Sequence, residues 1–155
     1  MLTPVKNIMT AGLINVFKGS SLHQAYRLMQ KNNIRHLPVE DETGKIVGVI
    51  SQRELINHST VDDIPVEFVM NSSVEFFDQN VPLKIAISKM LKQKISCVLI
   101  TDDEVKPIGI ITTDDLLAYL AHLLTAEKEE THEVFNVINL QTIGRVADSM
   151  ATIGI

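Results

Sequence analysis

The chain has 155 residues, 45% of them hydrophobic, which suits one compact domain or two half-domains sharing a core and places it in the globular class. A formal net charge of -5 with no cluster of Lys or Arg gives no electrostatic footprint for nucleic acid, so DNA or RNA binding is not expected. A single cysteine, no apolar signal segment behind Pro4 and Lys6, and a longest apolar run (Leu116 to Leu124, broken by His122) far short of the roughly 20 residues that cross a bilayer imply a reducing, cytoplasmic setting without membrane insertion.

Taken in chain order, Val5 to Met9 leads into a first helix capped by Ser20 or Ser21, with Leu22, Ala25, Tyr26 and Met29 at helical spacing. Two short apolar runs come next, His36 to Val39 and Ile46 to Ile50. Between them Glu40 to Gly44 has hairpin chemistry, with Gly44 available for a positive φ. A second helix begins near Gln52. The polar stretch Ser59 to Ile64, ending at Pro65, is a linker short enough to hold the two halves of the chain close.

The same order then repeats at an offset of about 61 residues. Pro4, Val5, Met9, Leu22, Ala25, Met29, Ile34, Asp41, Lys45, Gly48, Ile50 and Leu55 fall on Pro65, Val66, Met70, Leu83, Ala86, Met90, Ile95, Asp102, Lys106, Gly109, Ile111 and Leu116. Pro82 opens the equivalent helix, Cys97 to Ile100 and Ile108 to Ile111 form the equivalent hairpin, and a longer helix runs from Thr113 through Leu116, Leu117, Leu120, Leu123 and Leu124 towards Glu130. The expected class is α/β (α+β), with two strand-helix-strand-strand-helix repeats at 1–62 and 63–124 and a helical extension at 125–155. In that extension Val134, Phe135, Val137, Ile138, Leu140 and Ile143 would cover a surface, pair with another subunit or pack within the chain. Neither repeat can cover its own apolar face, so the two should pack together and leave related clefts at the seam.

Catalytic constellations are absent from the sequence: no zinc spacing, no nucleophile elbow, no Walker loop and no Gly-x-Gly-x-x-Gly occurs, and the five histidines are scattered over different elements. An enzyme is not expected, nor is a required cofactor or metal. Cys97, inside the apolar run Ile95 to Ile100, reads as a small buried hydrophobe. What recurs is a polar group after each third strand, Ser51 with Glu54 and Thr112 with Asp115. One account is a capping box at a helix N-terminus, the other a ligand site. The shorter Asp115 should reach the cap amide less easily than Glu54, which favours the ligand account for the second repeat.

The doubled order, with Ile34-Arg35-His36-Leu37-Pro38-Val39 on the middle strand and Gly-x-x-Ser/Thr-x-x-Asp/Glu after the last, resembles the tandem CBS (cystathionine beta-synthase) domain pair, or Bateman module, over about residues 4 to 122. The resemblance implies pseudo-twofold stacking, clefts for adenosine-containing ligands (AMP, ADP, ATP or S-adenosylmethionine), a regulatory role towards an effector protein, and pairing into homodimers. It also implies ribose recognition by Thr112 and Asp115, base contacts from Thr10 and Ile34, and a phosphate end at Arg35, His36 and Asp114. Arg suits phosphate by its planar fork, although an exposed Arg beside a half-buried His is the plain alternative. Glu54 departs from the family's Asp or Asn, and its extra methylene should move the carboxylate out of register, leaving Ser51 and Glu54 as a weaker second cleft. The rival expectation is a ligand-free interaction module whose clefts are closed by side chains and whose Leu-rich helix and tail make an oligomer interface.

Overall fold

A computed structural model describes residues 3–57 and 64–125. Residues 59–63 of the expected linker and the extension beyond Thr125 lie outside these. Residues up to Asp115 form one compact unit, and a second begins at Leu116.

The first unit opens with a short 3-10 turn at Val5–Asn7 and the two-residue strand β1 (Thr10–Ala11). Then come β2 (Val16–Phe17), α1 (Leu22–Asn32), β3 (His36–Glu40), β4 (Ile46–Ser51) and α2 (Gln52–Asn57). A second 3-10 turn at Val66–Phe68 leads to β5 (Phe76–Asp78), α3 (Leu83–Gln93), β6 (Cys97–Thr101) and β7 (Pro107–Thr112), after which residues 113–125 are helical. The expected repeat of strand, helix, strand, strand, helix is present in both halves.

Local chemistry accounts for these elements. Ser21, not Ser20, caps α1 through a full capping box with Gln24, and Pro82 precedes α3, where a missing amide hydrogen costs nothing. Leu22, Ala25 and Met29 on α1, and Leu83, Ala86 and Met90 on α3, are the buried faces. In the first hairpin Gly44 takes φ 81°, as expected. Its counterpart in the second hairpin is Val105, held at φ 63° although β-branched, a local strain that the flanking strands impose.

The sheets show how the repeats are joined. β2 pairs parallel with β3 and β3 antiparallel with β4, while the other sheet runs β1-β7-β6-β5. β1 therefore belongs to the first repeat by sequence and to the second by hydrogen bonding, with Thr10 opposite Ile110 and Ala11 opposite Gly109. The reciprocal contact is Asn71 opposite Val49. The lead-in segments exchange in the same way. Val5 N–H donates to Val81 O and Leu83 N–H to Thr3 O, and in mirror fashion Val66 N–H donates to Ser20 O and Leu22 N–H to Ile64 O. Each bond has a twin at the sequence offset with the repeats' roles swapped, which is approximate twofold symmetry written in hydrogen bonds. Val66 thereby sits in the first repeat's core with Leu22, Met29, Leu37, Val39 and Ile50. Full burial of a valine side chain contributes about 1.5–3 kcal/mol.

The crossings are close because the strands beneath them lack side chains. A Cβ at Gly109 would meet Met9 Sδ at 2.7 Å and Thr10 O at 2.9 Å, and one at Gly48 would collide with Met70 and come within 3.2 Å of Asn71 O. A methionine can turn aside, but the carbonyl of Thr10 is fixed by the β1–β7 pairing. Gly109→Ala is therefore expected to destabilise the protein by about 1–3 kcal/mol, as the shift in urea midpoint would report. An unchanged midpoint would show that the crossing yields freely.

Candidate functional site

The seam between the repeats forms two clefts, and they are the same cleft built twice. The first, of about 330 Å³, is lined by Thr10, Gly12, Leu13, Ile14, Asn33, Ile34, Arg35, His36, Pro38, Ile110, Thr112, Asp114 and Asp115. The second, of about 140 Å³, includes Ser51, Arg53, Glu54, Asn71, Ser73, Lys94, Ser96 and Cys97. At the repeat offset Thr10 answers to Asn71, Asn33 to Lys94, Arg35 to Ser96, Thr112 to Ser51, Asp114 to Arg53 and Asp115 to Glu54. Every residue expected around the ribose, base and phosphate thus lines one cleft, while Ser51 and Glu54 line the other.

Asp115 lies where the helix leaves β7. Its Oδ2 accepts from the Thr112 amide at 2.7 Å and the Thr112 hydroxyl at 2.6 Å, while Oδ1 accepts from the Thr10 hydroxyl at 2.8 Å. One expectation does not hold at this turn. The short Asp115 side chain does reach the cap amide, as closely as Glu54 reaches Ser51 N–H at 2.8 Å, because the turn folds back on itself. Glu54 caps its own helix in the same way, since the Ser51 hydroxyl also donates to its carboxylate. Thr10, expected beside a base, instead has its hydroxyl on the Asp115 carboxylate, delivered there by the β1–β7 exchange.

An ionised carboxylate offers about four acceptor positions. Three on Asp115 are used, so about one remains, on Oδ1. A vicinal diol can still be held: one hydroxyl donates to Oδ1, and the other donates to Thr10 Oγ1, which keeps a free lone pair while donating to Asp115. The bond to Oδ1 is charge-assisted and worth about 1.5–3 kcal/mol, and the neutral one to Thr10 about 0.5–1.5 kcal/mol.

Arg35, expected at the phosphate end, is paired with an acid of the other repeat. Its Nε donates to Asp114 Oδ2 at 2.9 Å and its second guanidinium nitrogen pairs with Asp114 Oδ1, a bidentate ion pair between two half-exposed side chains. Asp114, expected at the phosphate end, is thus the group that offsets the arginine. His36 shares a hydrogen bond of 2.8 Å with Ser96 Oγ and borders both clefts. Burial, then the adjacent Arg35 guanidinium, lowers the His36 pKa below its ordinary value, against weaker upward pulls from Asp114 and Glu54. His36 in the unliganded protein is therefore mostly neutral near pH 7.

Cys97, expected as a small buried hydrophobe, is only half-buried and lines the second cleft, at the first position of β6. Burial, with the Glu54 carboxylate adding to it, pushes its thiol up to about 11, so it stays protonated and is a poor nucleophile at neutral pH. Sequence reasoning missed Asn33 and Ile110 in the first cleft and Arg53 and Lys94 in the second. The offset alone would have linked Asn33 to Lys94, since each ends its helix in the left-handed conformation at the cleft mouth.

The sequence pattern of the CBS domain matches residues 5–60 and 61–122. The chain belongs to the CBS domain family. It is 31% identical over 115 residues to an L-aspartate semialdehyde sulfurtransferase of Methanocaldococcus jannaschii, an alignment covering 74% of this chain and 23% of that protein. The chain spans about a quarter of the length of such curated relatives. Among solved structures it resembles a CBS domain pair in complex with 5′-methylthioadenosine and S-adenosyl-L-methionine (TM-score 0.72, 30% identity, covering 79% of this chain and 98% of that one). A conserved protein of Pyrococcus horikoshii is similar too, at TM-score 0.69 and 32% identity over 77% of this chain and 92% of that one. Among the described residues, no helix is long and apolar enough to cross a membrane.

The depressed His36 pKa has a consequence for stability. Above about pH 6.5 the residue is neutral folded or unfolded; below it the unfolded chain takes up a proton that the folded one refuses, so stability falls as pH drops. Urea midpoints of wild type and His36→Gln between about pH 7 and 5.5 should diverge, the wild type losing more. Parallel curves would show that His36 protonates freely in the fold.

Proposed function

We propose that this CBS pair is a non-catalytic, cytoplasmic regulatory module that binds an adenosine-containing ligand in the first cleft and passes its occupancy to an effector protein. The observation that carries this reading is the carboxylate of Asp115, fixed by Thr112 and Thr10 with acceptor capacity left for a vicinal diol, in a cleft floored by Ile34, Pro38 and Ile110. Pre-tethering lowers the ordering cost of recognition. The ribose would bind at Asp115 and Thr10, and the base between Ile34 and Ile110. A similar domain pair was solved with two adenosine derivatives, which supports the same ligand class here. In the second cleft the smaller volume makes a weaker adenosine site.

Regulation requires that the ligand favour one arrangement over another, since equal affinity for both shifts nothing. Calorimetric titration of adenosine and S-adenosylmethionine is expected to give saturable binding to wild type that Asp115→Ala weakens by about ten- to hundredfold. Binding that survives the substitution unchanged would place the site elsewhere.

A second reading, self-association, is favoured by the exposed leucines of the helix at 113–125: Leu117 is 63% exposed and Leu124 53%. Burying such a stripe in a homodimer removes apolar surface from water. In light scattering, Leu117→Glu with Leu124→Glu should reduce the particle mass to that of a monomer. An equal mass for wild type and variant would exclude this face as the interface.

A further inference from the structure

The two clefts share one frame yet carry opposite charge, and of the three equivalent pairs whose charge differs, Asp114 and Arg53 are the one that reverses sign. In the first cleft Asp114 and Asp115 stand against Arg35 alone, leaving one net negative charge. In the second, Arg53 and Lys94 stand against Glu54, leaving one net positive charge. Asp114 and Arg53 occupy the same place in their repeats, each two residues past the cap, Thr112 or Ser51. We infer that Asp114 sets the ligand class of the first cleft, neutralising Arg35 so that the cleft selects adenosine derivatives whose 5′ substituent is uncharged or cationic, such as a thioether or a sulfonium, over 5′-phosphates.

Arg35 spends one edge of its guanidinium on Asp114 in a bidentate pair, and although its remaining N–H groups can still bond a neutral acceptor, its charge is offset. The N-terminus of the helix at 113–125 would ordinarily favour an anion, but Asp114 and Asp115 already occupy its first turn, so the dipole is answered from within. His36, the other basic group at the mouth, is hydrogen-bonded to Ser96 and neutral at pH 7, so no unpaired cation faces the cleft from β3. A volume of about 330 Å³ lies at the small end for ligand pockets and suits a nucleoside with a short substituent better than a triphosphate.

The inference rests on the reading of the first cleft as an adenosine site, and the experiment separates the two. Affinities of 5′-methylthioadenosine, S-adenosylmethionine and AMP are measured by calorimetry for wild type, Asp114→Asn and Asp115→Ala, with thermal melting to confirm that each variant is folded. Wild type is expected to bind the thioether and the sulfonium at least about tenfold more tightly than AMP. Asp114→Asn should tighten AMP by about tenfold, leave the thioether unchanged and weaken the sulfonium. AMP binding that Asp115→Ala leaves unchanged in affinity belongs to another site and is subtracted. If wild type binds AMP as tightly as the thioether through Asp115, or if Asp114→Asn leaves the AMP affinity unaltered, the charge assignment is overturned while the adenosine site stands. If none of the three compounds binds wild type, the adenosine reading itself fails.

Discussion

The exchange of lead-in segments between the repeats is the constraint on which the rest of the structure depends. Met9 and Thr10 cross over Gly109, and Met70 and Asn71 over Gly48, at distances that any side chain on those glycines would forbid. Each repeat therefore completes its neighbour. The sheet of the second repeat borrows β1 from the first, and the core of the first borrows Val66 from the second. Folding of either repeat alone would leave an open sheet edge and an unfilled core position, so the two are coupled through their interface in the manner of repeat proteins. The cleft is a consequence of the crossing, because Thr10 reaches Asp115 only by travelling with β1.

One carboxylate serves two purposes in this arrangement. Asp115 closes the cap of the helix at 113–125 and is also the polar centre of the first cleft, held from two sides by Thr112 and Thr10. The capping and ligand accounts of the Thr112–Asp115 pair are thus the same geometry, since a carboxylate fixed by its cap is one whose remaining lone pair has a defined direction. A ligand bound there adds its free energy to a helix terminus and to a strand crossing together, which links occupancy to the stability of the seam.

Much of the fold was legible because its signals are local. Ser21 with Gln24, Pro82 before α3, the buried Leu-Ala-Met faces and Gly44 all arise from short-range chemistry. What could not be read were the pairings between distant segments. Nothing near Thr10 announces Asp115, and nothing near Arg35 announces Asp114, because both contacts are made across the seam. The residues named by the resemblance line one cleft, but a pattern of residue types does not state which acid is paired with which base. Val105 shows the opposite case, a turn conformation that topology imposes against the preference of its residue.

The divergence of the two clefts arises from where the frame is rigid. Positions that hold the seam together are apolar or glycine and identical in both repeats: Val5 and Val66, Met9 and Met70, Gly48 and Gly109. Positions at the mouths are more exposed and carry no packing load, so Asp114 can face Arg53, Arg35 can face Ser96 and Asn33 can face Lys94 across the symmetry without cost to the core. His36 lies between, its ring bonded to Ser96 of the other repeat and bordering both clefts. Charges of both clefts act on that ring, Arg35 and Asp114 from the first and Glu54 and Arg53 from the second. The duplicated backbone fixes two equivalent clefts, and the exposed substitutions around their mouths give each its own sign.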